Sequence, residues 1–150
     1  MTKPPLLDTH VWIWWMIGDL RLPARERKAL DDLPSGHRPK LCDISLWEVA
    51  LLVQLERLRL DERLEDWLRI AASPAAVEVL PITPAVVAEM NRLPRSFHQD
   101  PADRLIAATA RAAGLSLATH DARIRRSRLA SLWAGSPRPS AASPRGRRRT

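Results

Sequence analysis

Four carboxylates stand where apolar runs end or where helices are expected to begin. Asp8 follows the apolar run in "PPLLDTH", and Asp121 follows the one in "LATHDARI". Glu48 falls in the first turn of the helix predicted from "SLWEVALLVQLERL", and Asp103 in the first turn of "DPADRLIAATARAAG". Each is explained singly by helix capping, because a carboxylate there accepts hydrogen bonds from free backbone N–H groups. Together they predict a shared site, since the carboxyl ends of parallel strands and the helices that follow them meet at one edge of a sheet.

Converging carboxylates repel one another, so such a group must take up protons or bind a cation. Hard oxygen ligands favour Mg²⁺ or Mn²⁺, with water and a substrate phosphate completing the shell. A cation held this way can activate water and stabilise the leaving oxygen of a phosphodiester. The sequence offers no competing motif: it has no nucleophile elbow, Walker loop, dinucleotide-binding loop or zinc-ligand spacing. Asp103 joins the site only if its helix also begins at that edge of the sheet.

The elements that must position these acids alternate along the chain as in an α/β domain. Strands are predicted in "PPLL", "PKLCDIS", "VEVLPI" and "LSLAT", with a fifth left open in "SLWA". Helical patterns separate them, which predicts a parallel sheet of four to five strands covered by helices on both faces, in three layers.

Capping signals mark the starts of three helices. Ser45 and Glu48 have the spacing of a capping box, and the helix they open is apolar nearly all round, which predicts that it is largely buried. Thr83 before Pro84 indicates a second start. Asp100 before Pro101, with Gly114 beyond the last turn, indicates a third helix.

The composition fits one domain over residues 1–134, followed by a tail at 135–150 made of Gly, Ser, Pro and Arg that we expect to be disordered. The net charge of +7 points only weakly to nucleic acid, because five arginines of that tail supply all but two of those charges. The one cysteine excludes an internal disulfide and suits the reducing cytoplasm. No run is long enough to predict a membrane span.

Four segments in this order, "LLDTHVWIWW", "ISLWEVAL", "HQDPADRLIAATA" and "LATHD", resemble the PIN-domain ribonucleases, specifically VapC-type toxins of type II toxin-antitoxin systems. The resemblance implies a PIN-like fold over about residues 5–134 and a Mg²⁺ or Mn²⁺ site. It also implies metal-assisted hydrolysis of single-stranded or structured RNA that leaves 5′-phosphate and 3′-hydroxyl ends. A cognate antitoxin and a homodimer are the partners that it implies.

Matched to the family motifs, the metal-site and catalytic residues would be Asp8, Glu48, Asp103 and Asp121. Asp8 and Asp103 would anchor the metal, while Glu48 and Asp121 would tune it or help to deprotonate water. Supporting roles would fall to Thr9, Ser45, Asp100 and Thr119, and substrate contacts to His98 and Arg104. Relatives often have a lysine where this chain has Leu52, a departure that bears on substrate contacts more than on the metal.

Six tryptophans need separate explanations. Trp12, Trp14 and Trp15 are too many for one small helix to bury, so we expect Trp14 or Trp15 to face a partner such as the antitoxin. Core packing is expected for Trp47, Trp67 and Trp133.

Two alternatives stay open on the sequence alone. A haloacid-dehalogenase-like phosphatase would use Asp8 as its nucleophile, but such enzymes usually carry a second acid two residues on, where this chain has His10. A non-catalytic module with a PIN-like fold would bind RNA or a partner without cleaving it, and the complete set of four acids argues against that interpretation.

Overall fold

The computed structural model describes residues 3–135 and consists of a four-stranded parallel sheet in the order β3-β2-β1-β4 flanked by seven helices. The strands are β1 (Leu6–Leu7), β2 (Lys40–Cys42), β3 (Glu78–Leu80) and β4 (Leu117–Ala118). The helices are α1 (Thr9–Ile17), α2 (Ala24–Asp31), α3 (Ile44–Gln54), α4 (Leu64–Ala71), α5 (Pro84–Arg92), α6 (Pro101–Ala113) and α7 (Ala122–Ser127). The predicted three-layer α/β fold is confirmed, whereas the expected tail lies outside the described residues except for Gly135.

The sheet divides the core into two apolar clusters, one on each face. Successive strand residues point to opposite faces, so Leu7 and Ala118 join one cluster while Leu6 and Leu117 join the other. The first cluster packs α1 and α4 through the buried rings of Trp12, Trp15 and Trp67. The second packs α5, α6 and α7 through Val86, Ile106 and Ile124. Both faces of the strands are therefore covered, as a parallel sheet requires.

The predicted capping box at the start of α3 is wrong. The helix begins at Ile44, and the preceding Asp43 makes no capping hydrogen bond to it. Instead the Asp43 carboxylate accepts a hydrogen bond from the N–H of Ile82, which ties the end of β3 to β2. Ser45 is fully buried and its hydroxyl hydrogen-bonds the Thr9 hydroxyl at 2.7 Å. A tertiary hydrogen bond has thus replaced the local one.

The expectation that α3 is largely buried is also wrong. Only Ser45 and Val49 are buried in this helix, and the Trp47 side chain is 54 % exposed. The other two predicted core tryptophans pack as expected, Trp67 as a buried residue and Trp133 as a partly buried one.

The remaining helix starts follow the sequence. The Thr83 hydroxyl accepts a hydrogen bond from the N–H of Val86, and the Asp100 carboxylate accepts one from the N–H of Asp103. Gly114 ends α6 with a φ of +63°, a left-handed conformation that glycine adopts without a steric penalty. In "SLWA" the structure forms a single parallel bridge between Leu117 and Leu132 instead of a fifth strand. Over residues 3–135, the helices all fall short of the length and apolarity needed to cross a membrane.

Candidate active site

Asp8 and Thr119 meet beyond the ends of the adjacent strands β1 and β4 because of the strand register. Leu7 pairs with Ala118 in parallel, so the next residue of each strand lies beside the other at the carboxyl edge. The Thr119 hydroxyl donates a hydrogen bond of 2.6 Å to Oδ2 of Asp8, whose Oδ1 accepts from the N–H of His10. Asp8 is buried, and this burial raises the pKa of its carboxyl group although both hydrogen bonds lower it. Asp8 therefore combines a helix-cap role with a place at the centre of the site.

Asp121 is linked to Asp8 through the same hydroxyl group. Thr119 Oγ1 accepts a hydrogen bond of 3.0 Å from the N–H of Asp121. The Asp121 carboxylate also caps α7, accepting hydrogen bonds from the N–H groups of Arg123 and Ile124. These bonds fix the carboxylate at the carboxyl edge of β4, where the sequence places it.

Glu48 lies one helical turn after Ser45, so the Ser45–Thr9 contact sets its position relative to the end of β1. Its Oε2 atom is inaccessible to solvent and has no hydrogen-bond partner among the residues that the structure describes. Burial, then the nearby charges of Asp8 and Asp100, raise the pKa of Glu48 to about 7, against the opposing effect of Thr9. An unpaired buried carboxylate oxygen is costly, and it marks this point as a place for a cation or a proton.

Asp103 completes the cluster from the first turn of α6. Burial raises the pKa of its carboxyl group to about 8, and the other contributors are the negative charges of the surrounding carboxylates, namely Asp8, Asp100, Asp121 and Glu48. The structure therefore brings the other three predicted acids, together with Asp100, within electrostatic range of Asp103. Asp103 was expected to join the site only if its helix began at the carboxyl edge of the sheet, and α6 does begin there.

The donor chemistry of this cluster fits a hard divalent cation. Crowded carboxylates with raised pKa values and an unpaired oxygen on Glu48 gain from a positive charge placed among them. Within residues 3–135, however, no three acidic, histidine or cysteine side chains already surround one point as a ligand set. The fit is thus one of charge and donor type, and Asp8, Glu48, Asp103 and Asp121 are the residues that would hold the ion.

The two residues expected to contact substrate occupy different positions. His98 is mostly buried beside the cluster, with Nε2 3.1 Å from Oδ2 of Asp103, although the angles of this contact are not those of a hydrogen bond. Arg104 instead donates to the carbonyl of Phe97 at 3.1 Å and lies over the Phe97 ring. Arg104 thus braces the loop that carries His98, and its guanidinium is already engaged.

A groove beside the acidic cluster is lined by tryptophan and leucine side chains. This tryptophan groove has a volume of about 480 Å³, and its lining includes Trp14, Trp47, Glu48, Leu51 and Leu55. Trp15, by contrast, is only 8 % exposed, and its indole N–H donates to Asp31 at 2.8 Å, so it is not free to bind a partner. The expected core packing of Trp47 is wrong, since its side chain is about half exposed in this groove. A helix that is apolar nearly all round is equally compatible with an exposed binding face.

Comparison with known proteins agrees with this geometry. A PIN domain is matched over residues 6–128. Ribonuclease VapC22 of Mycobacterium tuberculosis (strain ATCC 25618 / H37Rv) is 40 % identical over 122 residues, which cover 80 % of this chain and 88 % of that protein.

A solved structure shares the fold. The chain aligns with the crystal structure of VapBC2 from Rickettsia felis bound to a DNA fragment from their promoter, with a TM-score of 0.63 and 19 % identity. The alignment covers 85 % of this chain and 96 % of that one. The four-stranded parallel sheet, the acidic edge and these similarities lead to one conclusion: the chain belongs to the PIN-domain family, among its VapC-type ribonucleases.

Proposed function

We propose that this protein is an endoribonuclease toxin that hydrolyses single-stranded RNA with Mg²⁺, or Mn²⁺ in its place, and that a cognate antitoxin neutralises it. The observation that carries the catalytic part is the convergence of Asp8, Glu48, Asp103 and Asp121 at one edge of the sheet. Membership of the VapC-type ribonucleases supports the choice of RNA as substrate. The free buried cysteine suits the cytoplasm, where RNA is abundant.

The roles of the residues follow from their contacts. Asp8, held by the Thr119 hydroxyl, and Asp103, at the start of α6, would anchor the cation. Glu48 and Asp121 would complete its protein ligands or accept a proton from water. When bound, the cation supplies a lowered pKa for its water and charge stabilisation for the leaving oxygen of the phosphodiester. Thr9 and Ser45 position the helix that carries Glu48, and Asp100 caps the helix that carries Asp103.

The alternative of a haloacid-dehalogenase-like phosphatase is wrong, because the chain is a PIN-domain protein. The non-catalytic module remains as the alternative that the activity experiment must exclude.

The test is cleavage of a panel of labelled single-stranded RNAs by the purified full chain with Mg²⁺ or Mn²⁺ and with EDTA. Asp103→Asn is the active-site variant, and Asp66→Asn is its control because Asp66 is an acid on α4 that pairs with Arg69. We expect cutting that needs the metal, survives Asp66→Asn and is lost in Asp103→Asn. Cutting that persists in EDTA or in Asp103→Asn would refute the metal assignment. Absence of cutting by folded wild-type protein on every RNA would favour the non-catalytic module.

The tryptophan groove is our proposed surface for the antitoxin. Trp47 and Leu55 are about half exposed there, and a monomer rarely leaves such side chains together without a partner. The groove also includes Glu48, so an occupant would reach the acidic cluster and block it. The solved structure that shares the fold is a VapBC2 complex bound to promoter DNA, and this supports an antitoxin partner for the present chain. The resemblance to this family also leads us to expect a homodimer, which light scattering on the purified chain would test.

A further inference from the structure

A second groove lies between α7 and the loop that joins α5 to α6. This arginine groove has a volume of about 330 Å³, and its polar lining consists of Ser96, His98, Arg123, Arg126 and Ser127. No acidic side chain is among its lining residues, in contrast to the carboxylate cluster nearby. The groove is therefore a basic surface directly beside an acidic one.

The two arginines face the groove because of their spacing on α7. Residues three apart lie on the same face of a helix, so Arg123 and Arg126 point together while Ile124 turns into the core. Arg125 is engaged with the carbonyl of Thr119 at 3.0 Å. Arg123 and Arg126 are both exposed, and in the described part of the chain neither guanidinium has an ion-pair or hydrogen-bond partner. Two cations are thus presented side by side to solvent.

His98 connects this groove to the acidic cluster. His98 is one of the lining residues of the groove, and its Nε2 lies 3.1 Å from Oδ2 of Asp103. Its Nδ1 is inaccessible to solvent and has no hydrogen-bond partner among residues 3–135. His98 is therefore shared by the arginine groove and the acidic cluster.

Resting on the proposed RNA hydrolysis, we propose that the arginine groove binds the phosphodiester backbone that flanks the scissile bond, with Arg123 and Arg126 contacting neighbouring phosphates. The carboxylate cluster repels RNA, so the strand needs a fixed cationic surface alongside it. Backbone contacts of this kind set the position of a nucleic acid without reading its sequence. The run "ARIRRSR" contains four arginines and no acid, a sequence pattern that could have indicated this basic surface.

The test measures RNA binding without cleavage. Anisotropy of a labelled oligouridylate is followed against the full chain in EDTA over a range of salt concentrations. For Arg123→Gln/Arg126→Gln we expect binding weaker by about threefold per arginine, or roughly tenfold in total. The slope of log affinity against log salt should fall by about 0.7 for each phosphate that the protein no longer neutralises. Arg123→Lys/Arg126→Lys keeps both charges and should recover most of the affinity.

The matched control is Arg63→Gln/Arg69→Gln, which removes the same charge from the residue preceding α4 and from its last turn; α4 packs against the opposite face of the sheet. An equal loss of affinity in the groove variant and in this control would show that only the net charge of the protein matters, and it would overturn the proposal. Wild-type affinity in Arg123→Gln/Arg126→Gln would overturn it as well. Because these arginines are exposed, the variants should fold, as circular dichroism would verify. Failure of metal-dependent cutting would refute the proposed nuclease activity but not RNA binding by the arginine groove, since the binding assay contains no metal.

Discussion

The Thr119 hydroxyl donates a hydrogen bond of 2.6 Å to the Asp8 carboxylate, and the same oxygen accepts one from the N–H of Asp121. One side chain thus holds two of the four acids in place. This link exists because β1 and β4 pair in parallel with Leu7 opposite Ala118. Register, and not proximity in sequence, determines which hydroxyl orients Asp8.

Replacing Thr119 by valine should therefore weaken the proposed metal site without unfolding the protein. The hydrogen bond lowers the pKa of Asp8, so its loss favours the protonated carboxyl group, which binds a cation poorly. We expect metal affinity or the cleavage rate to fall by about 10- to 100-fold, the range for loss of a residue that orients a metal ligand. Calorimetric titration with Mn²⁺ and the rate of RNA cleavage would measure this.

Two further variants separate orientation from simple packing. Thr119→Ser keeps the hydroxyl and should retain most of the metal affinity. Thr109→Val removes another buried hydroxyl, one that donates to the Leu105 carbonyl within α6, and should leave metal affinity unchanged. If Thr119→Val bound Mn²⁺ as tightly as wild type, the orienting role would be disproved.

The stability of the metal-free protein should decrease as the pH rises. Asp103 has a pKa of about 8 in the folded protein against 3.8 as its ordinary value, and Glu48 has about 7 against 4.5. The folded state therefore retains protons that the unfolded state releases, so the free energy of unfolding falls between about pH 4 and about pH 8. Thermal unfolding in EDTA should show this fall in Tm, and saturating Mg²⁺ should reduce it because the cation binds the charged form. A Tm that rises across this range would contradict the raised pKa values.

The tryptophan groove gives a prediction about the antitoxin. Trp47→Ala should weaken antitoxin binding by at least about 2 kcal/mol, the loss typical of an aromatic residue at the centre of an interface. Its effect on Tm should be small because the ring is 54 % exposed. The control is Trp15→Phe, a change at a buried ring that removes the hydrogen bond to Asp31 and should lower Tm while leaving antitoxin affinity intact. Isothermal titration calorimetry with the purified antitoxin would compare the affinities of the two variants. Equal affinities for wild type and Trp47→Ala would show that the antitoxin does not depend on this part of the tryptophan groove.

The parts of the site that could be predicted are those determined by strand ends and helix starts. Asp8 and Asp121 follow buried strands, and any parallel sheet brings such residues to one edge. The cap at Asp100 was also readable, since the carboxylate bonds an N–H three residues along the chain. These features depend on local sequence and on one general rule of topology.

The errors arose where distant contacts decided the outcome. Ser45 has the right spacing for a capping box, but the Thr9 hydroxyl, 36 residues away, is its partner in the structure. The orientation of the tryptophans was equally hidden, because Trp15 is buried through contacts with α2 while Trp47 points away from the core. An apolar sequence pattern indicates how much apolar surface is favourable to bury. It does not indicate whether that surface is buried in the protein core or by a binding partner.

Asp103→Asn should raise the stability of the metal-free protein and lower its cleavage activity. The carboxylate is held among like charges, so the neutral amide relieves repulsion that the metal-free protein otherwise experiences. We expect Tm in EDTA at about pH 8 to rise by on the order of 5 °C, and cleavage with Mg²⁺ to fall by at least roughly 100-fold. Asp66→Asn, which breaks only an exposed pair with Arg69, should change neither quantity appreciably. If Asp103→Asn had a lower Tm in EDTA than wild type and the wild-type cleavage rate, Asp103 would only stabilise the start of α6. Strain of this kind is expected to persist in a functional site only where activity requires it.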